Sequence, residues 1–132
     1  MKTIVISGSA KLQNEIQSLL KSVKSDYDIL DYPKPIKNED FMSLYPKIHK
    51  TFYESIANTD VFLLFNHDKN GIEGYVGSAG FAELSFAVAQ NQVYKKNIEI
   101  YIYKMPDTKV ACFDEIKLYL QLGWIKLWKE RN

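Results

Sequence analysis

The chain has 132 residues, 46% of them hydrophobic and 25% charged, a composition typical of one globular domain with its own core. Lys and Arg number 17 against 16 Asp and Glu, and a formal charge of +1 gives little general attraction to nucleic acid. One cysteine and two histidines exclude an internal disulfide and a zinc site of the usual spacing, and no apolar run is long enough to span a membrane.

The first third of the chain alternates between strand and helix patterns. Residues 3–7 form a β-branched run that predicts a strand, and apolar residues at helical spacing then predict an amphipathic helix ending near Val23. Residues 27–32 alternate in polarity and predict a second strand. Two prolines directly after it predict an extended loop to about Asp40, because proline bars both a helix interior and a central strand.

A second helix is predicted from about Pro46 to Ala57. An apolar stripe at helical spacing runs from Phe41 to Ile56, and Pro46 marks either a first turn or a kink in it. Residues 61–65 are continuously apolar, which is typical of a strand buried on both faces, and we expect them to form the central strand of a parallel sheet.

The second half continues the alternation. A glycine-punctuated loop precedes a dense helix predicted over residues 79–90, and residues 97–103 predict a fourth strand. The apolar tail predicts a further helix and then a short element that is either an edge strand or more helix; we expect Trp124 and Trp128 in the core or a subunit interface. Strands separated by helices predict one α/β domain, residues 1–132, with a parallel sheet of four or five strands.

In such sheets, ligands bind outside the carboxyl ends of the strands, near the point where the strand order reverses. Gly8 and Ser9 follow the first strand, and their backbone N–H groups and hydroxyl suit phosphate or sugar oxygens. The alternative is a turn glycine followed by a helix N-cap serine. Asn66, His67 and Asp68 leave the central strand together and are candidates to contact a base or sugar, with His67 either an acid or a plain surface residue.

Glu83 is the most informative residue for function. Its helix is apolar on nearly every face, so the carboxylate is expected to be buried, and buried carboxylates concentrate at functional sites. Such a group can act as a nucleophile or a general base. The alternative is that Glu83 lies in the first turn of its helix and bonds free backbone N–H groups there.

Three segments together resemble one enzyme superfamily. They are the first strand with its Gly8-Ser9 turn, the run Ile56-Ala57-Asn58-Thr59-Asp60-Val61-Phe62-Leu63-Leu64, and the helix Gly80-Phe81-Ala82-Glu83-Leu84-Ser85-Phe86-Ala87-Val88-Ala89. Over roughly the first 105 residues, the chain resembles the nucleoside 2-deoxyribosyltransferase-like superfamily, which includes 2′-deoxynucleoside 5′-monophosphate N-glycosidases.

The resemblance implies a flavodoxin-like or Rossmann-like three-layer fold in which Glu83 attacks the anomeric carbon of a (deoxy)ribosyl group and expels the nucleobase. The substrate would be a nucleoside or nucleotide, no cofactor or metal would be required, and the protein would be a cytoplasmic homodimer or larger homo-oligomer. The binding site implied for this chain is lined by Gly8, Ser9, Asn66, Asp68, Gly77 and Ser78.

Two departures from the family pattern leave other functions open. Phe52 stands where the family has an aspartate, and Gly77 stands where it has Asp or Ser, with Ser78 one residue away. A non-catalytic nucleotide-binding or signalling module of the same fold is one alternative, and a glycohydrolase acting on NAD or a related nucleotide is another. Flavin binding is disfavoured, because the loop after the first strand lacks the run of hydroxyl residues that would hold an FMN phosphate.

Overall fold

The structure, a computed structural model, describes residues 1–130. Five strands alternate with four helices in this part of the chain: β1 (Thr3–Ser7), α1 (Gln13–Val23), β2 (Asp28–Asp31), α2 (Phe41–Asn58), β3 (Val61–Leu64), α3 (Ser78–Tyr94), β4 (Glu99–Ile102), α4 (Phe113–Gln121) and β5 (Lys126–Leu127). All strand pairs are parallel, and the strand order is β2-β1-β3-β4-β5.

Alternation along the strands divides the core into two halves. Ile4 and Ile6 of β1 face α1, whose buried side chains include Ile16 and Leu19. Val5 faces the opposite side, where α2, α3 and α4 cover the sheet. Because side chains alternate along a strand, Ser7 lies on the same face as Val5, toward α3. The sheet therefore has helices on both faces and forms the middle of three layers.

The fold is a flavodoxin-like three-layer α/β sandwich, which confirms the predicted class. The run from Val61 is the central strand, as predicted, and it is buried throughout. The undecided tail forms α4 and then an edge strand that pairs with β4. No helix among residues 1–130 combines the length and apolar character needed to cross a membrane.

The start of the second helix was predicted wrongly. The helix begins at Phe41, five residues before Pro46, directly after a 3-10 turn at Asn38–Asp40. Proline fits inside the early part of a helix when neighbouring contacts hold the preceding turn. Here Phe41 and Tyr45 stack with ring centroids 5.0 Å apart, and Tyr45 contacts His49 one turn later at 5.4 Å.

Two alternatives weighed for residues near the site do not hold. The third helix begins at Ser78, so Glu83 is its sixth residue and lies in the second turn, where backbone N–H groups are already bonded within the helix. Ser9 is not the N-cap of α1, since that helix starts at Gln13 and Leu12 holds the cap position. Both polar side chains are therefore left for other partners.

Candidate active site

The carboxyl ends of β1 and β3 meet at the point where the strand order reverses. Gly8 follows β1 with φ of +155°, and a Cβ there would lie 3.0 Å from the carbonyl oxygen of Phe65. Glycine alone lets the two strand ends approach this closely. The backbone N–H of Phe65 donates to the carbonyl of Ser7 at 2.7 Å, which ties the two ends together. Two concave regions open on either side of this junction.

Glu83 projects from α3 to the end of β1. Its carboxylate oxygen Oε1 accepts a hydrogen bond from the Ser7 hydroxyl, and Ser7 itself is fully buried. Burial raises the pKa of the Glu83 carboxyl above its ordinary value, the Ser7 hydrogen bond opposes this rise, and the nearby Asp31 carboxylate adds to it. Among residues 1–130, no cation pairs with Glu83. A partly buried carboxylate without a cation is costly to keep for structural reasons alone.

On one side of the junction lies a cavity of about 380 Å³, here called the aromatic groove. The loop after β2 and the face of α2 form its walls, and Glu83 lies in its lining together with Gly8 and Ala79. Most of the walls are aromatic or aliphatic: Tyr32, Pro33, Pro35, Ile36, Phe41, Tyr45, Ile48, His49 and Phe52. Its size and lining suit a flat, largely apolar group such as a nucleobase.

His49 brings an acid–base group to the aromatic groove. Its ring stacks on Tyr53, with centroids 4.4 Å apart and planes 20° from parallel. Phe52, the position where an aspartate was expected by resemblance, lines the same groove as an apolar wall. Burial and then the Glu83 carboxylate raise the pKa of Tyr53, so Tyr53 stays a neutral phenol near Glu83. Histidine is the residue that most often transfers protons in enzymes near neutral pH.

On the other side lies a smaller cavity of about 270 Å³, here called the glycine cleft. Gly8, Ser9, Gly77 and Ser78 all line it, so four of the predicted site residues are brought together. The first turn of α3 points its free N–H groups here, and that turn carries no acidic residue and no side-chain cap. The two cavities share Gly8 and Ala79 and are therefore neighbours along one face of the molecule.

Lys69 places a positive charge in the glycine cleft. Its ammonium donates to the Ser9 hydroxyl at 3.0 Å and lies 5.4 Å from the ring centre of Tyr75. No carboxylate in residues 1–130 forms an ion pair with it. A lysine beside a hydroxyl and a helix N-terminus is an arrangement suited to an anion.

The other predicted site residues have different surroundings. Asn66 is buried and lines neither cavity: its amide group donates to the carbonyls of Gly74 and Lys104 and accepts from the N–H groups of Tyr103 and Lys104. These contacts use the hydrogen-bonding capacity that substrate contact would need, so Asn66 braces the strand ends instead.

Asp68 is also outside both cavities. Its Oδ1 accepts from the Lys104 ammonium at 2.8 Å and from the backbone N–H of Gly74 at 2.9 Å. These two bonds, the lysine first, lower the pKa of Asp68. His67 does line the glycine cleft. A larger cavity of about 580 Å³ between the end of α1 and residues 126–130 contains none of the predicted site residues.

Sequence reasoning missed Ser7, His49 and Lys69. Ser7 carried a usable signal, because it is a polar residue that directly follows three apolar strand residues, and alternation places it on the α3 face. His49 lies on the same helical stripe as Phe52, one turn earlier, but only the packed loop after β2 makes that stripe a groove wall. Lys69 carried no signal, since the loop from residue 66 to residue 77 has no periodicity.

The comparisons with known proteins found no relative of this chain. No family model matches the chain, and no curated protein and no solved structure matches it at a significant level. Within residues 1–130, no three His, Cys, Asp or Glu side chains form a group that could hold a metal ion.

Proposed function

We propose that this protein is an enzyme of N-glycosyl transfer or hydrolysis, acting on a nucleoside or nucleotide with Glu83 as the nucleophile. The observation that carries the proposal is the position of Glu83: a partly buried carboxylate, with no cation paired to it among residues 1–130, in the lining of the aromatic groove. The groove suits a base, and the adjoining glycine cleft, which shares Gly8 and Ala79 with the groove, suits the polar end of the sugar.

The polar end of the substrate is proposed to bind in the glycine cleft. Lys69, Ser9 and the first turn of α3 offer a charge, a hydroxyl and free backbone N–H groups, and Ser78 lines the same cavity. These groups match a 5′-phosphate better than a neutral 5′-hydroxyl, because both the ammonium and the helix dipole favour an anion. A nucleoside 5′-monophosphate is therefore the preferred substrate class in this proposal.

The reaction would proceed in two displacements. A Glu83 carboxylate oxygen attacks the anomeric carbon, forming a C–O ester bond while the C–N glycosidic bond breaks and its electron pair goes to the base nitrogen. His49, lining the same groove, supplies the proton that the departing base takes up. Water or a second base then attacks the anomeric carbon, loses its proton to His49 and releases the Glu83 carboxylate.

A homo-oligomer is the proposed assembly. The first half of α2 leaves large apolar side chains exposed both in the wall of the aromatic groove and next to it: Phe41, Met42, Leu44, Tyr45 and Ile48. Contiguous exposed apolar surface of this kind marks interaction sites, and a second copy seated on it would also shield the groove from water. Light scattering of the purified protein measures whether it is a monomer or a larger assembly.

The proposal is tested by chromatographic detection of free base. The protein is incubated with nucleosides, 5′-monophosphates and NAD, with and without a second base, beside Glu83→Gln and the matched control Glu54→Gln. Glu54 lies on the exposed face of α2, where it pairs with Lys50. We expect base release from the wild type and from Glu54→Gln, and a loss of several orders of magnitude in Glu83→Gln.

Dependence on the second base separates a transferase from a hydrolase. If the folded wild-type protein releases no base from any substrate but binds nucleotides, the enzyme proposal is wrong and the binding module replaces it. Release of nicotinamide from NAD would assign the related glycohydrolase activity.

Loss of folding is not expected to confuse this test. The folded protein raises the pKa of Glu83, so the carboxyl holds its proton more tightly when folded than when unfolded. Ionising it therefore costs stability as pH rises from the ordinary glutamate pKa through the raised pKa of the folded state. Glu83→Gln removes that cost, and its amide oxygen can still accept from Ser7. We expect Glu83→Gln to be at least as stable as the wild type at pH 7.

A further inference from the structure

We infer that Ser7 is a positioning residue for Glu83: its hydroxyl holds one carboxylate oxygen and so leaves the other oxygen as the attacking atom. The inference rests on the proposed role of Glu83 as nucleophile. It assigns a function to a strand residue that neither the sequence pattern nor the family resemblance had singled out.

The geometry around Ser7 makes its hydroxyl a fixed donor. Ser7 is the last residue of β1, which is hydrogen-bonded to β2 on one side and to β3 on the other. Ser7 is completely buried. Its own carbonyl is bonded to the N–H of Phe65. Gly8 follows immediately and brings the end of β1 against β3. The Ser7 hydroxyl is thus held on a buried, hydrogen-bonded strand end, and its direction toward α3 is set by strand alternation.

Glu83 has few other constraints on its carboxylate. Ser7 provides its one hydrogen bond within residues 1–130, and that bond is made to Oε1. The side chain reaches from the second turn of α3, and a glutamate has three rotatable bonds through which its carboxylate can swing. With Oε1 held against β1, Oε2 is the oxygen left for the substrate. The bond to Oε1 restrains the carboxylate before the substrate arrives and so reduces the motion that has to be frozen for attack.

The remaining charged and titratable groups facing the groove come from β2, the loop after it and α2. They are Asp31 at the end of β2, Tyr32 and Lys34 in the loop, and Tyr45, Lys47 and His49 on α2, with Tyr53 of α2 close to Glu83 as well. Asp31 is paired with Lys34 at 3.3 Å, which weakens its effect on Glu83. The segment after β1 contributes Gly8 and Ala10 to the groove, and neither has a polar side chain; the hydrogen bond to Glu83 comes from Ser7 at the end of β1.

The experiment is a titration of Glu83 followed without any reaction. Protein labelled with ¹³C at glutamate carboxyls is titrated by NMR, and the Glu83 signal is assigned as the one missing in Glu83→Gln. A hydrogen bond to a charged group is strong enough that losing it in Ser7→Ala should move the Glu83 midpoint upward by about one to two pH units. Ser7→Thr keeps a hydroxyl at this position, and we expect its Glu83 midpoint to equal that of the wild type.

Turnover provides the second readout. In Ser7→Ala, the acidic limb of the pH profile should move upward with the titration, since attack needs the ionised carboxylate. On the plateau, kcat should fall about 10- to 100-fold while KM changes little, because the carboxylate is still present but no longer oriented. If Ser7→Ala does not fold, Ser7→Cys keeps the volume with a weaker donor and gives the same readouts.

Thr59→Ala is the matched control. Thr59 also has a buried hydroxyl, which donates to the carbonyl of Val61 at 3.0 Å. It lies just before β3, at the amino ends of the strands, whereas Glu83 lies at their carboxyl ends. Its loss should lower stability and leave the Glu83 midpoint and the kcat plateau unchanged.

An unchanged Glu83 midpoint in Ser7→Ala would overturn the inference, as would an equal shift in Thr59→Ala. The titration also separates this inference from the proposed function. If Glu83→Gln retains full base release, the nucleophile proposal fails, while the NMR midpoint still reports whether Ser7 controls the carboxylate.

Discussion

Replacement of Asn66 by alanine should destabilise the protein strongly without removing a substrate contact. Asn66 is 2% exposed, and its side-chain amide makes four hydrogen bonds to backbone groups. It donates to the carbonyls of Gly74 at 3.2 Å and Lys104 at 2.7 Å, and it accepts from the N–H groups of Tyr103 at 2.9 Å and Lys104 at 3.1 Å. These bonds join the end of β3 to the loop before α3 and to the residues after β4. Alanine removes all four at once.

The size of the effect follows from those four bonds. At roughly 0.5–1.5 kcal/mol each, their loss amounts to about 2–6 kcal/mol. The N–H of Tyr103 keeps a second acceptor, the carbonyl of Leu64 at 3.0 Å, and Lys104 is partly exposed to water. We therefore expect the lower part of that range, about 2–4 kcal/mol, a large share of the roughly 5–15 kcal/mol that stabilises a small domain.

Urea unfolding followed by circular dichroism measures this loss. With an m-value of about 1–3 kcal/mol/M, the midpoint for Asn66→Ala should drop by on the order of 2 M. The exposed residue Asn14 supplies the control, since Asn14→Ala should change stability by no more than about 0.5 kcal/mol. Base release per folded molecule should stay within a few-fold of wild type. A near-normal urea midpoint together with lost substrate binding would refute the reasoning and return Asn66 to the binding site.

Two further substitutions test the division of the site into a groove and a cleft. Lys69→Met should lower kcat/KM for a 5′-monophosphate about tenfold or more, because a charge-assisted bond to the phosphate is lost. The kcat/KM for the corresponding nucleoside should stay nearly unchanged. Equal losses for both substrates, or the same loss in the exposed control Lys24→Met, would count against a phosphate at this position. His49→Gln should lower kcat for base release by about 10²- to 10⁴-fold. His67→Gln, in the glycine cleft, should leave kcat within a few-fold of the wild-type value. If steady-state kinetics show the larger loss of kcat in His67→Gln, the proton comes from the cleft side.

The positions of the strands along the chain, and which strand lies at the centre of the sheet, could be predicted because these signals are local. The continuous apolar run from Val61 is buried on both faces, and this is a property of the run itself. The first turn of α2 could not be predicted in the same way. Pro46 is a local signal against a helix, and it is outweighed by ring contacts from Phe41 to Tyr45 and on to His49 that only the formed helix makes.

The site was only partly predictable for a related reason. Glu83 stood out because a carboxylate in an apolar helix is unusual, and Gly8 and Ser9 because they follow a strand. Asn66 carried the same strand-end signal, yet its side chain turns inward to the backbone of β4's end, and nothing in its neighbours along the chain predicts that direction. The groove itself joins α2 to the loop after β2, so its lining depends on packing between distant segments.

The most direct test of the central claim is a search for the covalent sugar ester on Glu83. Protein mixed with a nucleoside 5′-monophosphate is quenched in acid within the first turnover, and its intact mass is measured before and after proteolysis. We expect a fraction of the molecules to gain the mass of one (deoxy)ribosyl phosphate group, located on the peptide that contains Glu83 and absent from Glu83→Gln. Base release without any such adduct during the burst, or an adduct on another residue, would contradict Glu83 as the nucleophile.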